Sequence, residues 1–387
     1  MRPTLAVVDL ASIRHNLQAL RSGVADNVRQ MAVVKADAYG HGAVPVARTA
    51  LETGAEWLAV ATVAEGKELR DAGITAPTLV LGPIPIEDAV PAVNGQLAVT
   101  VCSRDGAAQL AAAAVAAGAP AAVHVKIDTG MGRLGVELGE AVEFISWVTE
   151  QPGLQLAGVF SHFASADETD LTFARLQLVR FQQVLAALEQ RRVTIPLRHM
   201  ANSAATLVLP ESHLDLVRNG IAIYGLYPSP EIPRTVELKP ALRWETAICH
   251  LKTVPPDTPL SYGGTFRTPR ESRIATLPVG YADGYPRLLS NRGRVVVRGR
   301  LAPVVGRVCM DMILADVTDI PAVACGDPVL LIGRTGAAEV SADDIARLCG
   351  TINYEVTCAI GKRVPRQIQA DEPTMWRGVY AHPAFCI

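Results

Sequence analysis

Between residues 30 and 217 one pattern recurs along the chain: a short apolar, β-rich run, then a stretch with helical periodicity. That alternation specifies crossover units and a parallel sheet, because parallel neighbours cannot be joined by a tight hairpin. The runs fall at 32–34, 57–60, 78–81, 97–101, 123–127, 157–160, 198–200 and 214–217. Eight such units in about 230 residues match the size of a closed (β/α)8 barrel, with an open doubly wound sheet as the alternative. Among the intervening helices, Asp9 or Ser12 can cap one that carries Ile13, Leu17 and Leu20 on a single face. Further on, Phe173, Leu176, Val184, Leu185 and Leu188 repeat at helical spacing.

After Gly225 the texture changes. Pro228, Pro230 and Pro233 crowd one short segment, which reads as a linker and puts a domain boundary near 230. Beyond it, alternating runs at 294–298 and 328–333 are separated by Gly and Pro, the signature of an antiparallel β domain. One helix interrupts it, announced by the cap-box spacing of Ser341-Ala342-Asp343-Asp344. The expected fold is therefore α/β: a barrel over 1–230, followed by a mainly antiparallel β domain over 231–387.

Composition removes several function classes. Half the residues are hydrophobic (49%) and 19% are charged, so a packed core is available and disorder is not the organising principle. With 36 basic against 38 acidic residues, there is no electrostatic footprint for nucleic acid or an anionic membrane. Asp9 interrupts the first apolar stretch before it reaches signal-peptide length, and the Ala-rich segment 110–123 is broken at Gly118-Ala119-Pro120. The seven cysteines (102, 249, 309, 325, 349, 358, 386) form no Cys-x-x-Cys pair, which favours reduced thiols and a cytoplasmic compartment. No histidine pattern at ligand spacing indicates a metal, and no Gly-x-Ser-x-Gly elbow indicates a serine nucleophile. Gly130-x-Gly132-x-x-Gly135 matches the dinucleotide fingerprint but follows the fifth strand, where a tight turn is the simpler reading.

In a barrel the active site lies at the carboxyl ends of the strands, so polar residues just beyond each run are the candidates. They are Lys35, Asp37 and Tyr39; Lys126, Asp128 and Arg133; Ser161 and His162; Asn202 and Ser203; and Arg218. Lys35 follows Met31-Ala32-Val33-Val34, so its stem is expected to be buried, and burial lowers the pKa of an amine. A neutral amine is what imine formation with an aldehyde requires, although the same lysine could cap the strand end and reach solvent. Arg218 could likewise serve a salt bridge in the barrel mouth, Tyr39 and Tyr354 could be packed tyrosines with satisfied hydroxyls, and Tyr262 an ordinary turn tyrosine.

The segment Ala32-Val33-Val34-Lys35-Ala36-Asp37-Ala38-Tyr39-Gly40-His41-Gly42 resembles the cofactor-lysine segment of bacterial alanine racemases. Eight further segments resemble motifs of that family, in the family's order: 126–135, 161–167, 201–205, 217–225, 260–266, 279–285, 306–312 and 353–356. The resemblance covers essentially the whole chain. It implies pyridoxal 5'-phosphate as cofactor, held by Lys35 and surrounded by Tyr39, His162, Asn202, Ser203, Arg218, Gly220, Ile221 and Tyr354.

The same resemblance implies two catalytic bases on opposite faces of the substrate, Lys35 and Tyr262. A tyrosine ordinarily titrates near about 10, so this role calls for neighbouring groups that favour phenolate, with His162 and Arg218 as the family's candidates. Arg133 and Met310 are implied partners of the substrate carboxylate, and Lys126 matches a lysine that carries a carbamate in many relatives. Asp167, Tyr281, Arg287 and Arg307 match the lining of an access passage. Tyr262 and Met310 are implied to come from a neighbouring subunit, so a homodimer with shared active sites is expected. The implied activity interconverts L- and D-alanine and supplies D-alanine for peptidoglycan; the alternative is a racemase of broader range that acts on serine or lysine. A decarboxylase or aldolase would not need the opposing base in Ser261-Tyr262-Gly263, and a non-enzymatic cofactor-binding barrel would not need the second domain.

Overall fold

The computed structural model describes residues 2–369, and divides them into two compact units. One comprises Ser12–Ala38 and Gly42–Lys239; the other takes the residues before Ser12, Tyr39–His41 and everything from Pro240 onward.

After a first strand, β1 (Leu5–Asp9), come the eight strands of the first unit. These are β2 (Arg29–Val33), β3 (Trp57–Val60), β4 (Thr78–Val80), β5 (Ala98–Val101), β6 (Ala121–Lys126), β7 (Leu154–Phe160), β8 (Arg198–His199) and β9 (Leu216–Asn219). All pair in parallel, in the order β8-β7-β6-β5-β4-β3-β2-β9. The ends of that order meet: Asp215 N donates to Arg198 O and Arg218 N to Ala201 O, each at 3.0 Å, so the barrel is nearly closed. Each of the eight expected runs holds a strand. Their limits move where the backbone demands it: the run expected at 214–217 begins only at Leu216, because Leu214 lies at φ +50°, outside the extended region.

The helix Leu10–Ser22 buries Ile13, Leu17 and Leu20 at 0–2% exposure, the face expected from the sequence. The helix Thr172–Gln190 turns differently. It buries Ala174, Gln177, Leu178, Phe181, Val184 and Leu188 and leaves Phe173 and Leu176 exposed. Gln177 explains the rotation: its Oε1 accepts from Ala164 N (2.9 Å), and its Nε2 donates to His162 O (3.1 Å) and to Thr129 Oγ1 (3.3 Å). A buried amide satisfied on both sides therefore sits on the core stripe, while two apolar residues do not.

In the second unit the principal sheet carries β1 between two strands, antiparallel to Leu242–Ala247 and parallel to Arg366–Gln369. A division of the chain at 230 puts β1 with the barrel; the structure puts it with the β unit, where Ala6, Val7 and Val8 are buried on both faces. A run that is apolar at every position suits an interior strand better than an edge. A second sheet joins His250–Val254, Ser272–Leu277 and Ile313–Asp316 in antiparallel register. Ser341 caps the helix Ala342–Cys349 through the capping box seen in the sequence. Cys102, Cys249, Cys309, Cys349 and Cys358 are free thiols, whereas Cys325 is disulfide-bonded, so thiols throughout do not describe this chain.

Candidate active site

The carboxyl ends of the barrel strands gather the charged side chains. Lys35 stands two residues beyond the end of β2 and is half-buried. The chain then makes a helical turn over Lys35–Gly40 of the wrong hand: Ala36, Asp37, Ala38 and Tyr39 all lie at φ +52 to +54°. A left-handed conformation costs an L-residue roughly 1–2 kcal/mol, so four in succession require firm support. Gly40, at φ +84°, continues it where a Cβ would stand 2.3 Å from Thr357 O; both that angle and that approach call for glycine.

Arg218, near the end of β9, is 4% exposed. Its NH1 donates to His199 Nδ1 (2.9 Å), and its NH2 donates to Ser161 O (2.9 Å), Met200 O (3.0 Å) and His162 Nδ1 (3.2 Å). Every partner is a neutral acceptor, and no carboxylate pairs with Arg218 among the described residues. The salt-bridge reading of this arginine is thus not what the barrel contains. Burial lowers Arg218 to about 9.

Because a guanidinium only donates, its partners' protons are assigned by chemistry. His162 and His199 must both present a bare Nδ1 and carry hydrogen on Nε2. His199 Nε2 then donates to His124 Nδ1 at 2.9 Å, so His124 carries its own hydrogen on Nε2. All three imidazoles are held neutral, chiefly by burial and then by the Arg218 charge, with His124 lowered to about 3.

Lys126 ends β6 at 5% exposure, with its Nζ over the Phe160 ring. Burial, then Arg133 and Arg218, lower it to about 8. Arg133 itself lies exposed in the loop after β6. Ser203 is buried at the start of a short helix capped by Asn202, and its Oγ accepts from Gly220 N (2.8 Å). Ile221 opens the next helical turn, Ile221–Tyr224, and Asp167 is half-buried in the loop after β7. A hydroxyl, converging amides and a buried guanidinium, facing the same strand ends as a lysine, form a donor set suited to an anionic, aldehyde-bearing aromatic ligand.

The β unit carries the rest. Tyr39 and Tyr354 face each other with ring centroids 6.0 Å apart, and burial pushes the Tyr39 phenol up. Tyr262, 73% exposed, stands on a turn whose first residue, Ser261, donates from Oγ to Arg307 O (2.7 Å). Tyr281 N donates to Cys309 O and Ala282 N to Met310 O, each at 3.0 Å, so Tyr281 and Met310, 43% and 52% exposed, share this surface with Tyr262. Ser290, held to Arg287 O through its Oγ (2.6 Å), accepts from Val308 N (3.0 Å) and draws the Arg287 turn to the same place. The proposed residues therefore fall into two sets, one on the barrel rim and one on the β unit. His124 and His199, which pack in series behind Arg218, are not among the residues that the sequence singles out; a histidine inside each of two strand runs was the available signal.

Architecture and rim chemistry define a class: a barrel enzyme with a separate β domain, of the amino-acid racemase type. The comparisons narrow this. The sequence profile of the alanine racemase N-terminal domain matches residues 8–228, and that of the C-terminal domain matches 241–368. An alanine racemase of Halothermothrix orenii is 49% identical over 366 residues, covering 95% of this chain and 97% of its own. Among solved structures, the alanine racemase of Clostridium difficile 630 superposes with a TM-score of 0.92 at 38% identity, covering 96% of this chain and 97% of that one. The Bacillus anthracis alanine racemase with bound L-Ala-P gives 0.90 at 40% identity, covering 96% of each. The chain belongs to the alanine racemase family.

Proposed function

We propose that this chain interconverts L- and D-alanine with pyridoxal 5'-phosphate held on Lys35. The observation that carries the reading is Arg218: a buried cation without a carboxylate, fixed by four neutral acceptors at the barrel mouth. Such a group can only donate to a ring nitrogen. With the cofactor bound it would leave that nitrogen unprotonated, which would favour return of the proton to carbon over transamination. When bound, the cofactor supplies an electron sink for negative charge at the substrate α-carbon. Ser203, Asn202, Gly220 and Ile221 would offer donors to its phosphate, as would Tyr39 and Tyr354, and His162 would stand beside its ring; Ser203 Oγ and Gly220 N already lie together at 2.8 Å.

Lys35 Nζ and Tyr262 Oη take the proton from one face of the α-carbon and return it to the other. Arg133 and the Met310 backbone receive the substrate carboxylate. Lys126, near neutrality and beside two arginines, suits a carbamate that turns it into their anionic partner. Asp167, Tyr281, Arg287 and Arg307 line the access passage. Tyr262 and Met310 act on the partner's site, so the working form is a homodimer. We place it in the cytoplasm, supplying D-alanine for peptidoglycan; the five free thiols fit that compartment, and the bonded Cys325 is the exception to it.

The test is chiral chromatography of L-alanine, L-serine and L-lysine incubated separately with the cofactor-loaded protein. D-alanine alone is expected; D-serine or D-lysine at comparable rates would replace this reading with a broad-range racemase. Lys35→Ala should lose the yellow, borohydride-reducible chromophore, and a variant that kept it would end the assignment of Lys35.

A further inference from the structure

We propose that Glu65 is a positioning residue for Lys35, holding the left-handed backbone turn that follows the lysine. This rests on the reading of Lys35 just given. Glu65 lies in the helix Val63–Asp71 after β3, one strand away from the lysine. Its Oε1 accepts from Ala36 N at 2.7 Å; its Oε2 accepts from Ala61 N at 2.7 Å and from Thr62 N at 3.3 Å.

A glutamate three residues into a helix ordinarily serves as a cap, and the Thr62–Glu65 capping box is present. The cap contact is the longest of the three, however. Both short bonds go to loop backbone outside the helix, one to the residue directly after Lys35.

The turn needs such an anchor. Ala36 and Ala38 have no polar side chain with which to favour φ near +53°, and only Asp37 is of a type that visits this region readily. Within the segment, Ala38 N donates to Val34 O (2.9 Å), Gly42 N to Asp37 O (2.9 Å) and Ala43 N to Asp37 Oδ1 (2.8 Å). Those bonds shape the turn from within, and Arg366 Nε, donating to Gly40 O (3.0 Å), holds its far end. Among the side-chain bonds found here, that of Glu65 alone fastens the residue after the lysine to a neighbouring βα loop. By accepting from Ala36 N, the carboxylate fixes the peptide plane that joins Lys35 to Ala36, and with it the backbone from which Lys35 projects and the left-handed turn starts.

The test separates aiming from folding. Apo wild type, Glu65→Ala and Glu65→Gln are mixed with pyridoxal 5'-phosphate, and the rate at which borohydride-reducible chromophore forms is followed. In parallel, equilibrium binding of pyridoxine 5'-phosphate is measured, because this alcohol fills the same donors but cannot bond to an amine. Glu65→Ala should slow capture roughly tenfold or more while leaving binding of the alcohol within about twofold, the mark of a misaligned nucleophile in an intact site. Glu65→Gln, with one acceptor oxygen, should fall between. Adding Ala36→Gly to Glu65→Ala should recover part of the rate, since glycine adopts the left-handed region freely.

Capture at the wild-type rate by Glu65→Ala would overturn the proposal, as would parallel loss of capture and alcohol binding. If Glu65→Ala does not fold, Glu65→Gln decides by the same two measurements. A wild type that binds the alcohol but captures no aldehyde would instead overturn the reading of Lys35, and this proposal with it.

Discussion

At the scale of single residues, the arginine network makes a prediction about pH. His124, His162 and His199 are neutral because they are buried beside Arg218, so folding lowers their pKa values from the ordinary range near 6.5. Below that pH the unfolded chain takes up protons that the folded chain refuses. The stability these groups contribute is complete above about 6.5 and is lost as the pH falls. For His124 the loss continues towards about 3. Each such histidine adds about 1.4 kcal/mol per pH unit to the slope, so His124→Phe should flatten the acid limb of the urea-unfolding profile by about that amount. An unchanged slope would show that His124 is protonated in the folded protein. The network also marks the limit of what could be read in advance. Lys35, His162, Ser203 and Arg218 stand where strand ends and motifs put them. His124, His199 and Glu65 take their importance from partners on other strands, chosen by a register that no local pattern encodes.

At the scale of elements, the strand that receives the network is bent to accommodate it. Opposite β6, the register of β7 slips by one residue: Val123 pairs with Leu156 and His124 with Gly158, leaving Ala157 as a bulge. A Cβ on Gly158 would stand 2.5 Å from His124 Nδ1 and 2.8 Å from Leu197 O, so bulge and glycine together open the space that the His124–His199 pair fills. Gly158→Ala should therefore destabilise the chain by about 1–3 kcal/mol in urea, as overpacked sites do; a neutral substitution would mean that the strand shifts freely. None of this was legible in Ala157-Gly158-Val159-Phe160, which reads only as a strand. The existence of the eight strands was legible, because apolar runs of that length in alternation with helices leave few options. Limits and faces were less so. Leu214 ends a run by its backbone angle, and Gln177 takes a core position because three polar atoms wait for its amide.

At the scale of the whole molecule, the two sets of residues divide between units that the sequence joins only through Tyr39–His41 and the chain near residues 11 and 240. Tyr262 and Met310 present more than half of their surface to solvent, an unusual position for residues assigned to chemistry. The homodimer proposed above would account for this, because in a two-fold dimer each chain can offer its exposed surface to the barrel of the other. The proposed sharing has a consequence that single variants cannot reveal. Lys35→Ala and Tyr262→Phe should each be inactive as pure dimers. If each site takes its lysine from one chain and its tyrosine from the other, a mixed dimer holds one site with both defects and one with neither. Random reassortment makes half the dimers mixed, each with one good site of two, so unfolding and refolding the variants together should restore about a quarter of wild-type activity. A site built within one chain would give every site in the mixture one defect, and activity would stay near zero. Sedimentation equilibrium on the same mixture shows whether dimers formed at all, so that failure to assemble cannot pass for an unshared site.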